Sequence, residues 1–207
     1  MQQPPVPIVT LVDWLTVFGP LTTGIVIYLS ILKLVAPKKG AGKVLTFTNV
    51  WLTLSGIIHS WIELDFVFSR ETSIIKPTLD MYAAGDFRYG IPLESGTAAM
   101  EAITAILEGP MCLAVVFAAV MNRSWRHPMQ LILTTMQIYG LVWFAIHPYF
   151  TEEGYSGHFS ADPILCWLVA FGANAPWGIF PPILWYKSFS AICKGMGKYL
   201  ETEKKQK

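Results

Sequence analysis

Residues Val44–Phe68 read VLTFTNVWLTLSGIIHSWIELDFVF, a run long and apolar enough to cross a bilayer that nevertheless carries His59, Glu63 and Asp65. A bilayer core of ~30 Å needs roughly 20 mostly apolar residues per spanning helix. Four other stretches meet that requirement: Trp14–Ala36 (WLTVFGPLTTGIVIYLSILKLVA), Thr97–Met121, Met129–Phe150 and Pro163–Phe189. No alternating ten-residue pattern suggests a barrel, so helices are the only expected spanning elements. The expectation is therefore an all-α integral membrane protein. Its five transmembrane helices form one domain over residues 1–207, bundled around a central polar cavity, with a basic cytosolic tail at 190–207.

Composition points the same way. The 207 residues are 53% hydrophobic and 14% charged, against about 25% charged residues in ordinary soluble domains. Mean hydropathy is +0.46. The eight Trp, eight Tyr and twelve Phe suit a protein with two membrane interfaces to furnish. Cys112, Cys166 and Cys193 lie in or at the ends of apolar stretches with no CxxC spacing, and read as small packing residues rather than disulfides or zinc ligands. The first segment is expected to span rather than be cleaved, because no basic region precedes it and its apolar run is too long for a signal peptide.

Charge sets the orientation. Lys33, Lys38, Lys39 and Lys43 border the first connection, and Arg123 and Arg126 sit in the third. Lys187, Lys194, Lys198, Lys204, Lys205 and Lys207 follow or end the fifth span, which puts twelve of the fifteen basic residues on one side. The Thr151–Asp162 loop carries Glu152, Glu153 and Asp162 and no Lys or Arg. An excess of Lys and Arg marks the cytosolic side, so the N-terminus is expected in the lumen and the C-terminus in the cytosol. Lys204-Lys205-Gln206-Lys207 places a dilysine where endoplasmic-reticulum retrieval signals are read. The long connection Ser69–Gly96 is too rich in aromatics and charge for a linker, and is expected to fold as a cap on the luminal face.

An ionisable side chain mid-helix costs ~2.5–3.5 kcal/mol or more and normally faces the bundle interior. His59 and Glu63 are four residues apart, on one helical face; Asp65 lies off it. Glu101, Thr104 and Glu108 form one stripe of the third segment. In the fifth, Pro176 removes a backbone hydrogen bond beside Asn174 and opens room there. Three helices thus offer polar groups to one chamber. Thr104 and Asn174 alone would suit helix–helix glue, but His59, Glu63 and Glu101 cost more than glue requires. Glu108 has the alternative of snorkelling toward Arg123 or Arg126. His147, before Pro148, reads as interfacial.

A dry chamber favours the neutral form of a carboxylic acid, so one Glu can serve as an acid while another, paired with histidine, serves as a base. Aromatic faces such as Trp177 stabilise a cation. This set fits protonation of a carbon–carbon double bond in a lipid. A metal site is the competing reading, but the chain lacks HExxH or a clear second histidine.

His59-x-x-x-Glu63, Gly85-Asp86-x-Arg88-Tyr89, Met100-Glu101-Ala102-Ile103-Thr104-Ala105 with Gly109-Pro110, Gln137-Ile138-Tyr139-Gly140 and Asn174-x-x-Trp177 occur in this order between Val44 and Lys187. Together they resemble the emopamil-binding protein family, whose best-known activity is sterol Δ8–Δ7 isomerisation in the endoplasmic-reticulum membrane. The resemblance implies catalytic roles for His59, Glu63, Glu101, Thr104, Asn174 and Trp177. It also implies acid–base chemistry without a cofactor or metal. Asp86, Arg88, Tyr89, Glu108, Tyr139 and Trp143 are the expected substrate-binding residues. The chain departs from the family's sterol isomerases in the Asp80–Tyr89 loop, at Glu108 and along Leu141–Pro148. These changes leave the acid–base set in place and alter the lining, so a protonation-initiated terpenoid (meroterpenoid) cyclase stays open as the alternative. A non-catalytic sterol-binding or drug-binding receptor is the third reading. The expected partners are a hydrophobic sterol or terpenoid substrate, cationic amphiphilic inhibitors and membrane lipid, with a homodimer left open and no nucleic acid.

Overall fold

The computed structural model describes residues 7–206; the tail Met1–Val6 and Lys207, used above for orientation and the dilysine, lie outside the described residues. The described residues form helices, turns and one isolated antiparallel bridge, with no strand among them. Helix α1 (Leu11–Val35) starts at a reciprocal cap: Thr10 Oγ1 accepts from Asp13 N, and Asp13 Oδ2 accepts from Thr10 N at 2.7 Å. It ends at Ala36, held extended in front of Pro37.

Helix α2 (residues 47–69) is α-helical over Phe47–Ile57 and then widens into π turns at Ile58–Glu63 and Asp65–Ser69. Helix α3 (Lys76–Gly85) lies in the long connection. Helix α4 (Ser95–Val120) is capped by Glu94, whose carboxylate accepts from Gly96 N at 3.0 Å and Thr97 N at 2.7 Å. It widens at Thr104–Glu108, just before Pro110, which has no N–H to give the preceding turn. Helix α5 (Arg126–Phe150) tightens into a final 3₁₀ turn at His147–Phe150. Helix α6 (Ile164–Gln206) begins with a π segment at Ile164–Phe171, carries Pro176, Pro181 and Pro182, and continues as helix through the basic segment expected to be a tail.

Helices α1, α4, α5 and α6 are each long and apolar enough to cross a membrane. They expose many large apolar side chains, among them Phe18 and Val26 on α1, Ile106 and Leu107 on α4, and Trp167 and Leu168 on α6. Such extensive outward apolar surface suits lipid rather than water. In α2 the apolar run is interrupted by His59, Glu63 and Asp65.

Helices α2 and α4 pack against each other closely, through two glycines. A Cβ on Gly56 would stand 2.9 Å from Cys112 Cβ and 3.0 Å from the Gly109 carbonyl. One on Gly109 would strike Ser60. Small residues at such a crossing let two backbones approach, and here they bring the π turn bearing His59 and Glu63 beside the π turn bearing Thr104 and Glu108. On the other side α5 runs along α6. Leu52, Val115, Val116 and Leu133 fill the core between the pairs.

The long connection folds as a cap. Asp80 of α3 accepts from Arg70 Nη2 at 2.8 Å and Lys76 Nζ at 2.6 Å. Burial alone would push the Asp80 carboxyl up, but these two cations outweigh it and hold it below the usual range. Asp86 and Arg88 are 0% and 1% exposed and pair at 2.7 Å. Arg88 also donates to the Phe144 carbonyl at 3.0 Å and lies 4.5 Å above the Phe144 ring. The backbone bridge Asp86–Phe159 completes the tie between the cap and the α5–α6 connection.

Candidate acid–base site

The two π turns set the centre of the site. His59 Nδ1 lies 2.6 Å from Glu63 Oε1, and Glu63 Oε2 accepts from the Thr104 hydroxyl. Thr104 Oγ1 is also 2.9 Å from the Glu101 carbonyl. From α6, Trp177 Nε1 donates to His59 Nε2 at 3.2 Å. Indole nitrogen is only a donor, so in this arrangement His59 Nε2 carries a lone pair. The ring proton then sits on Nδ1 and points at Glu63. Glu63 thus receives a hydrogen bond at each of its two oxygens.

Glu101, one turn before Thr104, accepts from the Tyr89 hydroxyl through Oε1. Its Oε2 has no hydrogen-bond partner among the described residues. Tyr89 is presented by the cap, held between Phe66 and Tyr82 with ring centroids 4.9 and 4.8 Å away. Asn174 Nδ2 donates to the Tyr82 hydroxyl at 2.7 Å and to the Ala170 carbonyl at 2.8 Å. The cap thus reaches both the α4 carboxylate and the α6 amide through tyrosines.

These groups border one cavity of about 300 Å³, at the lower end of small-molecule pockets. His59, Glu63, Glu101, Thr104, Asn174 and Trp177 all line it, as do Tyr89, Glu108 and Trp143. The remaining three expected substrate contacts stand elsewhere. Asp86 and Arg88 are consumed in the buried pair that fastens the cap. Tyr139 is 66% exposed, because α5 turns Gln137, Gly140 and Leu141 toward the cavity and Tyr139 away from it. Glu108 does not snorkel: it is 3% exposed, with Oε2 4.0 Å from His59 Nε2. Asp65 accepts from Ser69 and Ser73 hydroxyls at 2.6 and 2.5 Å and shapes the exit from α2.

Sequence reasoning missed Tyr82, Thr78 and Leu79, the contributions of α3 to the lining. The only signal for them was the aromatic content of the long connection.

An all-helical, membrane-directed chain with an ionisable cluster in an otherwise apolar cavity defines the class. Residues 74–188, more than half of the chain, match the EBP family, described as EXPERA (EXPanded EBP superfamily), and the chain belongs to that family. It is 31% identical over 149 residues to a probable 3-beta-hydroxysteroid-Delta(8),Delta(7)-isomerase of Oryza sativa subsp. japonica, covering 69% of this chain and 66% of the relative. It is 32% identical over 152 residues to the 3-beta-hydroxysteroid-Delta(8),Delta(7)-isomerase of Mus musculus, covering 70% and 63%. An isomeliandiol synthase of Ailanthus altissima is 25% identical over 153 residues, covering 70% of each chain. The alignments span roughly two thirds of the length of these relatives.

Proposed function

We propose that this chain is a cofactor-independent intramembrane isomerase that protonates a carbon–carbon double bond of a sterol or related isoprenoid and removes a proton from a neighbouring carbon. The observation that carries the reading is two carboxyl groups with different hydrogen-bond surroundings on one cavity. Glu63 accepts from His59 and Thr104, one hydrogen bond at each oxygen, and is assigned to the base with His59. Glu101, also on the cavity, has one oxygen without a hydrogen-bond partner among the described residues and is assigned to deliver the proton. For a Δ8 sterol, the Glu101 proton would add at C9 and leave the cation at C8. The C7–H electron pair would then form the Δ7 bond as the His59–Glu63 pair takes the proton. Trp177 and the tyrosine faces offer the cation π electrons in a water-poor space. Thr104 and Asn174 position Glu63 and Tyr82.

In this reading residues 1–207 are one transmembrane domain, residues 47–69 are the fifth crossing, and the cavity is the centre of the bundle. The basic helical end of α6 faces the cytosol and the N-terminus the lumen of the endoplasmic reticulum. Cationic amphiphiles resembling the intermediate are expected to occupy the cavity as inhibitors. The test is to supply membranes carrying the chain with a Δ8 sterol and to look for the Δ7 product by mass spectrometry; no product at any expression level rejects sterol isomerisation. A second reading, a protonation-initiated terpenoid cyclase with the same acid–base set, draws on the likeness to isomeliandiol synthase. It predicts turnover of a terpenoid in the same assay.

A further inference from the structure

Glu108 is the buried ionisable group that the mechanism above leaves without work. Its carboxyl lines the cavity, is 3% exposed and makes no hydrogen bond among the described residues. A buried carboxyl without partners costs several kcal/mol when ionised, so a purely structural Glu at this position would gain nothing over Gln.

The geometry points to Glu108 as the second partner of the His59 ring, receiving the imidazolium that forms when the pair takes the substrate's proton. The inference rests on the acid–base reading of the same cavity. In the resting arrangement the ring's one lone pair, on His59 Nε2, accepts from the Trp177 indole N–H at 3.2 Å. Nδ1 already bears hydrogen toward Glu63 at 2.6 Å. A proton leaving carbon must therefore arrive at Nε2 as the indole hydrogen bond is given up, its C–H electron pair staying behind as the new double bond. Once Nε2 bears hydrogen it faces an indole N–H that can only donate, and the two donors repel. Glu108 Oε2, 4.0 Å from Nε2, is the acceptor on that side. A side-chain rotation that brings this oxygen about one ångström closer makes the hydrogen bond. His59 then lies between two carboxylates, Glu63 on Nδ1 and Glu108 on Nε2, and the new cation is balanced without water. Glu108 is a positioning residue: it acts on the ring, not on the substrate.

The test uses the full chain in membranes with Glu108→Gln, Glu108→Asp and Glu108→Ala. Glu108→Gln is expected to lower kcat roughly tenfold to a hundredfold, below the 10²–10⁴ range of a direct acid or base, with KM within about twofold and thermal stability equal to or above the parent. Glu108→Asp should recover part of the loss, since the charge returns on a shorter arm, and Glu108→Ala should not. ¹⁵N-histidine NMR of the solubilised protein gives a readout that needs no substrate. At one slightly acidic pH, the imidazolium fraction of His59 should fall in Glu108→Gln relative to the parent. Parent-like kcat in Glu108→Gln, or an unchanged imidazolium fraction, overturns the proposal. If the NMR coupling is present while the parent turns over no sterol or terpenoid, the enzyme reading fails and the His59–Glu108 partnership stands.

Discussion

Replacing Glu63 by Gln is the perturbation whose outcome the geometry specifies most fully. Gln keeps the size of Glu but offers one acceptor oxygen and one NH₂ where the carboxylate accepts twice. Its oxygen must face His59 Nδ1, because turning NH₂ there would move the ring proton to Nε2, against the Trp177 N–H at 3.2 Å. The NH₂ then faces Thr104, whose hydroxyl turns to donate to the Glu101 carbonyl at 2.9 Å and accepts from the amide. Every hydrogen bond at the centre thus has a substitute, so the loss of charge assistance costs about 1–2 kcal/mol of stability. Turnover has no substitute: a neutral amide cannot balance the imidazolium that forms when His59 takes the substrate's proton. Removing such assistance lowers rates by about 10²–10⁴, or about 3–5 kcal/mol in the barrier. The assay is product formation from a Δ8 sterol at matched expression, with binding of a cationic tertiary amine and thermal unfolding measured on the same preparations. A Glu63→Gln protein that turns over like the parent refutes the base assignment. One that neither folds nor binds refutes the claim that Gln is accommodated.

Three further outcomes follow from other contacts. Trp177→Phe keeps an aromatic wall beside Trp51, 5.2 Å away, but frees His59 Nε2. It should lower turnover roughly tenfold, and Trp177→Ala, which also removes the π face, should lower it more; equal losses in steady-state assays would reject a role for the ring face. Arg88→Ala leaves Asp86 buried and unpaired and unfastens the cap from α5. It should cost about 3–5 kcal/mol, seen as a lower unfolding temperature and easier proteolysis within residues 70–94; unchanged protection would show that the pair does not hold the cap. The Asp80 carboxyl is held below its ordinary 3.8 by Arg70 and Lys76. A depressed carboxylate contributes stability above its unfolded value and loses it as pH falls through the folded one. Hydrogen exchange in α3 should therefore rise only below about pH 3.8, and Asp80→Asn should show the raised exchange already at neutral pH.

The linear pattern carried much of this protein. Runs of about twenty apolar residues made the helices legible, because a spanning helix must satisfy its own backbone and shows that in length and composition alone. His59 with Glu63, and Glu101 with Thr104, were legible as pairs because helical spacing puts residues three and four apart on one face. What spacing within one helix does not carry is how separate helices meet. That Thr104 reaches Glu63 depends on Gly56 and Gly109 letting α2 and α4 approach, and on π turns widening both helices at the contact. That Tyr89 reaches Glu101, and Tyr82 reaches Asn174, depends on the cap folding back across the bundle. Asp86 and Arg88, polar and adjacent in sequence to Tyr89, had the same claim to the cavity until packing turned them into the rivet of the cap. Tyr139 had it until the rotation of α5 pointed it outward. Local periodicity determines which residues share a helix face. Only tertiary packing decides which faces meet, because that choice is made by close contacts between residues far apart in the chain.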